Sequence, residues 1–165
     1  MTRKIDMMLS EAYENVEDGN LDDALKLYDS ALKMDPTNSN IYVDKGATLQ
    51  NMGRLKLAIR SFDKALSISP DNVDALLNKG AALHSEQKYS KAIDCYDDAL
   101  KIDKKSAMAL AYKGLSLGEM GKLSDAIKHF KKALSIDEHY DLASVSKELA
   151  QDLLKSIKHQ KSKIQ

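Results

Sequence analysis

The chain has 165 residues, and its 25 Lys and Arg balance 25 Asp and Glu, so the formal net charge is zero. A protein that binds nucleic acid mainly by neutralising phosphates is usually basic, so the composition argues against that class. The single cysteine, Cys95, excludes an intrachain disulfide and a Cys-based zinc site. No apolar run approaches the roughly 20 residues of a membrane-spanning helix, and no secretory signal is recognisable, so we expect a soluble, cytoplasmic protein.

A period of 34 residues organises the chain. It aligns columns of aromatic, alanine and glycine residues, namely Tyr28, Phe62, Tyr96 and Phe130; Ala24, Ala58, Ala92 and Ala126; Ala31, Ala65, Ala99 and Ala133; Gly46, Gly80 and Gly114; and Gly19, Gly53 and Gly121 with Gln87 as the exception. Within a period the apolar residues are spaced by three and four, which indicates helices. Gly53 follows one such segment and can adopt the left-handed backbone that ends a helix. The sequence therefore predicts a stacked array of helical hairpins.

Small residues are expected where the two helices of a hairpin cross. Gly46 and Ala58 let the backbones approach, and Phe62 is expected to fill the space toward the next repeat. Lys45 and its equivalents Lys79 and Lys113 precede the glycine column. A lysine at this position can lay its aliphatic stem on the core and keep its ammonium group in water.

This pattern resembles the tetratricopeptide repeat. The small residue, the two alanines and the aromatic residue occupy the positions that the family uses in its 34-residue frame. The resemblance implies an all-α fold, a right-handed α-α superhelix, in a single domain spanning 1–165. The repeats would occupy 5–38, 39–72, 73–106 and 107–140, followed by a capping helix and basic tail over 141–165.

The terminal segment carries its own pattern. One apolar stripe runs along it and is expected to close the open end of the array: Leu142, Val145, Leu149, Leu153 and Ile157. Beyond Leu154 the chain carries four lysines and no acidic residue: Lys155, Lys158, Lys161 and Lys163. This tail is interpreted as a solvated helix end, with a docking segment for an acidic partner or an anionic surface as the alternative.

No constellation of residues indicates catalysis. The chain has no phosphate-binding glycine loop, no zinc-binding HExxH and no nucleophile elbow. Its four histidines are scattered without ligand spacing: His84, His129, His139 and His159. Cys95 lies beside the core aromatic Tyr96 and is expected to act as a small buried hydrophobe. We therefore predict a protein that is not an enzyme and that binds no cofactor and no metal.

The resemblance implies that the first helix of each repeat lines a concave, peptide-binding groove. Carried over by position, the predicted groove residues are Asp6, Leu9, Tyr13, Glu17, Asn40, Val43, Asp44, Ala47, Gln50, Asn51, Asp74, Leu77, Asn78, Ala81, His84, Met108, Ala111, Tyr112, Leu115, Gly118 and Glu119. The set contains five carboxylates and no Lys or Arg. A clamp for an acidic C-terminal tail needs cationic donors, so a neutral, apolar or basic segment is favoured.

These features predict a protein–protein interaction scaffold or adaptor that binds a peptide of a partner protein, with no nucleic-acid or membrane partner. A self-assembling homo-oligomer, joined through the groove or the cap, is the alternative. Gly118 also has two interpretations, because a helix-interior glycine costs about 1 kcal/mol relative to alanine. It either opens the backbone for close ligand approach or is tolerated near a helix end.

Overall fold

The computed structural model describes residues 2–164, with side chains described for residues 2–160. Over these residues it contains nine α-helices and no strand: α1 (Thr2–Glu17), α2 (Leu21–Met34), α3 (Ser39–Asn51), α4 (Leu55–Ile68), α5 (Val73–Ser85), α6 (Tyr89–Ile102), α7 (Ala107–Glu119), α8 (Leu123–Ile136) and α9 (Asp141–Ile164). Within the units, successive helices pack as the predicted hairpins α1–α2, α3–α4 and α7–α8. From α2 onward, equivalent helices begin 34 residues apart. The prediction of an all-α helical-repeat fold is confirmed.

A left-handed residue terminates the first helix of each hairpin. Gly19, Gly53 and Gly121 have φ values of 79°, 70° and 75°, as the glycine column predicts. After α3, the Arg54 N–H donates to the Leu49 carbonyl at 2.9 Å and so satisfies one of the last carbonyls of the helix. Gln87, the exception in the column, adopts the same conformation with φ 59°. The repeat therefore imposes the left-handed turn even on Gln87, although a residue with a Cβ is sterically unfavourable in this conformation.

Polar caps begin three of the first helices. The Asn72 side chain accepts a hydrogen bond from the Ala75 N–H at 2.9 Å, and Ser106 accepts from the Ala109 N–H at 3.2 Å. Asn38 caps α3 in the same way. These side chains satisfy N–H groups that have no partner within the helix, and so fix where each helix starts.

The helices group into two compact units, unit 1 (Met1–Glu86) with α1 to α5 and unit 2 (Gln87–Gln165) with α6 to α9. Each unit has its own core. The alanine columns and the aromatic column are buried in both, as Tyr28 and Phe130 illustrate with 1% and 2% exposure. The single domain spanning 1–165 stays a prediction.

The glycine and aromatic columns meet in two of the hairpins, one in each unit. The ring of Phe62 lies against Gly46, and the ring of Phe130 lies against Gly114, where an added Cβ would be 2.6 Å from a ring carbon. The predicted close approach of the helices is confirmed. Phe62 covers the glycine of its own hairpin, and it also belongs to the same buried cluster as Ala75 and Ala82 of the next repeat, as predicted.

The terminal helix α9 packs through small residues. Ala143 and Ala150 are 0% and 7% exposed in the core of unit 2, and Leu154 packs partly against the same core. The five-residue stripe from Leu142 to Ile157 is exposed instead, so the expectation that it closes the array was wrong. Alanines let α9 lie close to α8, and this turns the larger apolar side chains outward. Lys155 and Lys158 of the basic tail are exposed, while the side chains of Lys161 and Lys163 lie outside the described residues.

Candidate peptide-binding surface

In unit 1, side chains of α1 and α3 meet on an accessible surface. The Tyr13 hydroxyl donates a hydrogen bond to Asp44 Oδ2 at 2.8 Å, although the two residues are 31 positions apart. The ring of Tyr13 also contacts that of Tyr28 edge to face, with centroids 6.4 Å apart. Tyr13 is still 48% exposed, so it links the buried core to a surface that a ligand can reach.

Asp44 is half-buried, and its surroundings disfavour its charge. Burial raises the pKa of the Asp44 carboxyl above its usual value, and the negative charge of Asp74 raises it further, while the hydrogen bond from Tyr13 acts in the opposite direction. Neither Asp44 nor Asp74 forms an ion pair with a cationic side chain in the described part of the chain. The surface therefore holds two acidic groups that lack a cationic partner.

Amide side chains extend this polar surface from α3 to α5. The Asn72 amide donates to Asn40 Oδ1 at 3.1 Å, and the Asn78 amide donates to the Asp74 backbone carbonyl at 2.9 Å. Ala47 and Ala81 are half-buried on the same two helices. Their small side chains leave room for a ligand beside the polar groups.

The structure places most of the predicted groove residues where a partner could reach them. Three are buried instead: Val43 and Leu77 are each 8% exposed, and Ala111 is fully buried. These three side chains therefore contribute to the core, because their positions point partly between the helices. Each of the other predicted groove residues is half-buried or exposed.

In unit 2 the corresponding surface is apolar. Met108 is 43% exposed, and Tyr112 packs against Tyr96 with ring centroids 5.8 Å apart. A pocket of about 160 Å³ is lined by residues of three helices: Leu115, Gly118 and Glu119 of α7; Leu123 and Phe130 of α8; and Ser146, Leu149, Ala150 and Leu153 of α9. Leu115, Gly118 and Glu119, which are predicted groove residues of α7, thus share one pocket with α9.

Sequence reasoning missed the contribution of α9 to this surface, although the period contained the signal. Leu142, Val145, Leu149 and Leu153 stand 34 residues after Met108, Ala111, Leu115 and Glu119. Four of the five stripe residues therefore stand at the predicted groove positions of one further helix. The stripe was interpreted as a cap, and its 34-residue correspondence with the α7 positions was therefore missed.

A second missed feature is a series of ion pairs between successive hairpins of a unit. Lys45 pairs with Asp29 at 2.5 Å, and Lys113 pairs with Asp97 at 2.5 Å. The side chain of Lys45 is only 26% exposed, which confirms that its stem lies on the core. The 34-residue columns of Asp and Lys could have indicated these pairs, which join successive hairpins and leave the groove carboxylates unneutralised.

Two other findings bear on function. Among the described residues, no group of three or more His, Cys, Asp or Glu side chains is arranged to hold a metal ion. No helix in the described part of the chain is long and apolar enough to cross a membrane.

Comparison with known proteins identifies the repeat. Family models described as tetratricopeptide repeat match residues 37–105 and 107–140, which together exceed half of the chain. A comparison with curated protein sequences gives no significant match.

Solved structures show the same fold. The crystal structure of MamA protein is 26% identical, with a TM-score of 0.79 over 92% of this chain and 83% of that chain. MamA 41-end from Desulfovibrio magneticus RS-1 is 20% identical, with a TM-score of 0.75 over 96% of each chain. The first TPR of Spaghetti (RPAP3), bound to the HSP90 peptide SRMEEVD, is 19% identical, with a TM-score of 0.68 over 71% of this chain and 93% of that chain. The two family-model matches, together with the repeat frame and its helical hairpins, establish that the chain belongs to the tetratricopeptide repeat family.

Proposed function

We propose that the chain is a non-enzymatic protein–protein interaction scaffold that binds a neutral or basic peptide segment of a partner protein. The binding surface in unit 1 is formed around Tyr13, Asp44 and Asp74. The observation that carries this proposal is the half-buried Asp44 carboxylate, held by Tyr13 and lacking a cationic partner among the described side chains. A cytoplasmic location stays a prediction.

The chemistry of the surface favours a cationic group in the ligand. A Lys or Arg side chain placed between Asp44 and Asp74 would compensate the charge that burial and mutual repulsion disfavour. Hydrogen bonds between charged partners are about twice as strong as neutral ones, so a single such contact can determine which peptide binds. The small Ala47 and Ala81 leave space for the rest of the segment.

The same chemistry disfavours an acidic tail. The RPAP3 domain was solved with SRMEEVD, a peptide that carries two glutamates and a terminal aspartate. The groove positions of this chain supply five carboxylates and no Lys or Arg. Like charges across an interface cost several kcal/mol, so such a peptide would be repelled.

The proposal is tested with two labelled peptides of equal length, SRMEEVD and a charge-reversed SRMKKVK, by fluorescence anisotropy at low and high salt. We expect the basic peptide to bind more tightly, with an advantage that shrinks as salt increases. Equal or tighter binding of SRMEEVD would contradict the proposal.

Two matched variants separate the site from net charge. Asp44→Asn keeps the shape and the hydrogen-bond acceptor for Tyr13 but removes the negative charge. We expect it to weaken binding of the basic peptide about tenfold, since one lost charged contact is worth about 1.4 kcal/mol. Asp63→Asn makes the same charge change at a carboxylate that pairs with Lys79, and it should leave the affinity within about twofold. Equal losses in both variants would show that the peptide senses only overall charge.

A further inference from the structure

The exposed side of α9 concentrates apolar surface. Of twelve large hydrophobic side chains that are exposed among the described residues, five lie on this helix. Their exposed fractions are 36% for Leu142, 65% for Val145, 71% for Leu149, 50% for Leu153 and 36% for Ile157. Single exposed apolar residues are normal, but a contiguous stripe of this kind marks an interaction surface.

The stripe has the geometry of a helix–helix contact. Its spacings of three and four residues keep all five side chains on one side of the helix, over about 22 Å of its axis. Leu149 and Leu153 also line the pocket shared with Leu115 and Gly118, so the apolar surface continues from α9 onto α7. A helix laid along α9 would cover both.

The stripe is nearly symmetric about Leu149. Val145 and Leu153 stand four residues on either side of it, and Leu142 and Ile157 stand seven and eight residues away. A second copy of α9 running in the opposite direction would therefore meet the stripe with apolar residues along its whole length. Such a two-fold arrangement is self-complementary and closes at a dimer.

Charges along α9 favour the same direction. The first half carries Asp141, Glu148 and Asp152 against one Lys147, whereas the described second half carries Lys155 and Lys158 and no acidic residue. Asp152 and Lys155 form an exposed ion pair within the helix at 3.1 Å. A parallel pair of helices would place identical residues side by side, Asp141 beside Asp141 and Lys158 beside Lys158. An antiparallel pair centred on Leu149 instead brings Asp141 of one copy to the level of Ile157 and Lys158 of the other.

We propose that two copies of the chain associate through an antiparallel pairing of α9, with the five-residue stripe as its apolar centre. The pairing is independent of the peptide surface around Asp44, because it uses only residues of unit 2.

Mass measurement tests whether the dimer forms. Light scattering after size exclusion, across a dilution series of the full chain, should show a dimer that dissociates on dilution. Leu149→Asp should give a monomer at concentrations where the unmodified chain is dimeric, with an unchanged far-ultraviolet circular dichroism spectrum because Leu149 is largely exposed. Leu57→Asp is the matched control, since Leu57 is 45% exposed on α4, and it should remain dimeric. A monomeric unmodified chain, or a dimer that survives both Leu149→Asp and Leu153→Asp, would overturn the proposal.

Cysteine crosslinking tests the direction of the helices. In an antiparallel pair, Leu149→Cys lies near the symmetry axis and should form a disulfide-linked dimer under mild oxidation. Leu142→Cys lies near one end and should not link to itself, but it should link to Ile157→Cys when the two variants are mixed. The unmodified chain, whose only cysteine is the buried Cys95, is the background control. Self-linkage of Leu142→Cys as efficient as that of Leu149→Cys would indicate parallel helices and overturn the proposed arrangement.

Discussion

The two units use one internal framework and present different surfaces. Phe62 covers Gly46 in unit 1 as Phe130 covers Gly114 in unit 2. The exposed positions between these contacts differ, because unit 1 offers Tyr13 with Asp44 and unit 2 offers an apolar stripe. Residues that recur with the 34-residue period therefore build the fold, and residues that differ from one repeat to the next determine what each unit can bind.

The largest effects should come from removing the shared framework. Phe62→Ala and Phe130→Ala each delete a fully buried ring, and we expect each to lower the free energy of unfolding by about 3–5 kcal/mol. Urea unfolding followed by circular dichroism would measure both. Clearly unequal losses in the free energy of unfolding would show that the two units do not depend equally on the contact between the aromatic ring and the glycine.

Replacing each of two glycines on α7 by alanine should change the stability of the fold in opposite directions. A methyl group at Gly114 would lie 2.6 Å from the Phe130 ring, so Gly114→Ala should destabilise the fold by about 1–3 kcal/mol. Gly118 has ordinary space, with Ala126 Cβ at 4.0 Å, so Gly118→Ala should stabilise it by about 1 kcal/mol. Thermal and urea unfolding of the two variants would check the signs.

The left-handed turn offers a reciprocal exchange between the units. Gln87→Gly in unit 2 should relieve a strained backbone and raise the free energy of unfolding by up to about 1 kcal/mol. Gly53→Gln in unit 1 introduces the same strain and should lower it by about the same amount. Urea unfolding would measure both changes in the free energy of unfolding. If the two changes had the same sign, the explanation from turn geometry would be contradicted.

The smallest expected effect is a pH dependence confined to unit 1. The pKa of the Asp44 carboxyl is raised in the folded state, so the folded chain binds the carboxyl proton more tightly than the unfolded chain does. The unmodified protein therefore loses stability as the pH rises from the usual pKa of 3.8 through the raised pKa of the folded state. Asp44→Asn lacks this loss, so it should gain stability relative to the unmodified chain over that range and keep the gain at neutral pH. Urea unfolding at several pH values would show it, and a variant that is less stable at neutral pH would contradict it. Asn78 occupies the equivalent position of the next repeat, so the substitution fits the frame.

Much of the fold could be predicted because it depends on residues that recur. The columns that contain Tyr28, Gly53 and Ala58 predicted the hairpins, the turn positions and the buried faces, and all three are confirmed. The candidate surface was harder to predict from the sequence, because each of its positions carries a different side chain in each repeat. Val43, Leu77 and Ala111 were assigned to it by position but are buried, because the angle at which helices cross determines how far such residues turn inward.

The sequence by itself determined the helical-repeat architecture, the absence of a recognisable catalytic motif and the acidic character of the predicted groove. Each follows from residue type and spacing, which act locally. Only the tertiary structure showed that Tyr13 binds Asp44 across 31 residues and that α9 packs through its alanines and exposes its leucines. Both depend on how closely neighbouring helices approach, and that distance is set by the side chains of two helices together.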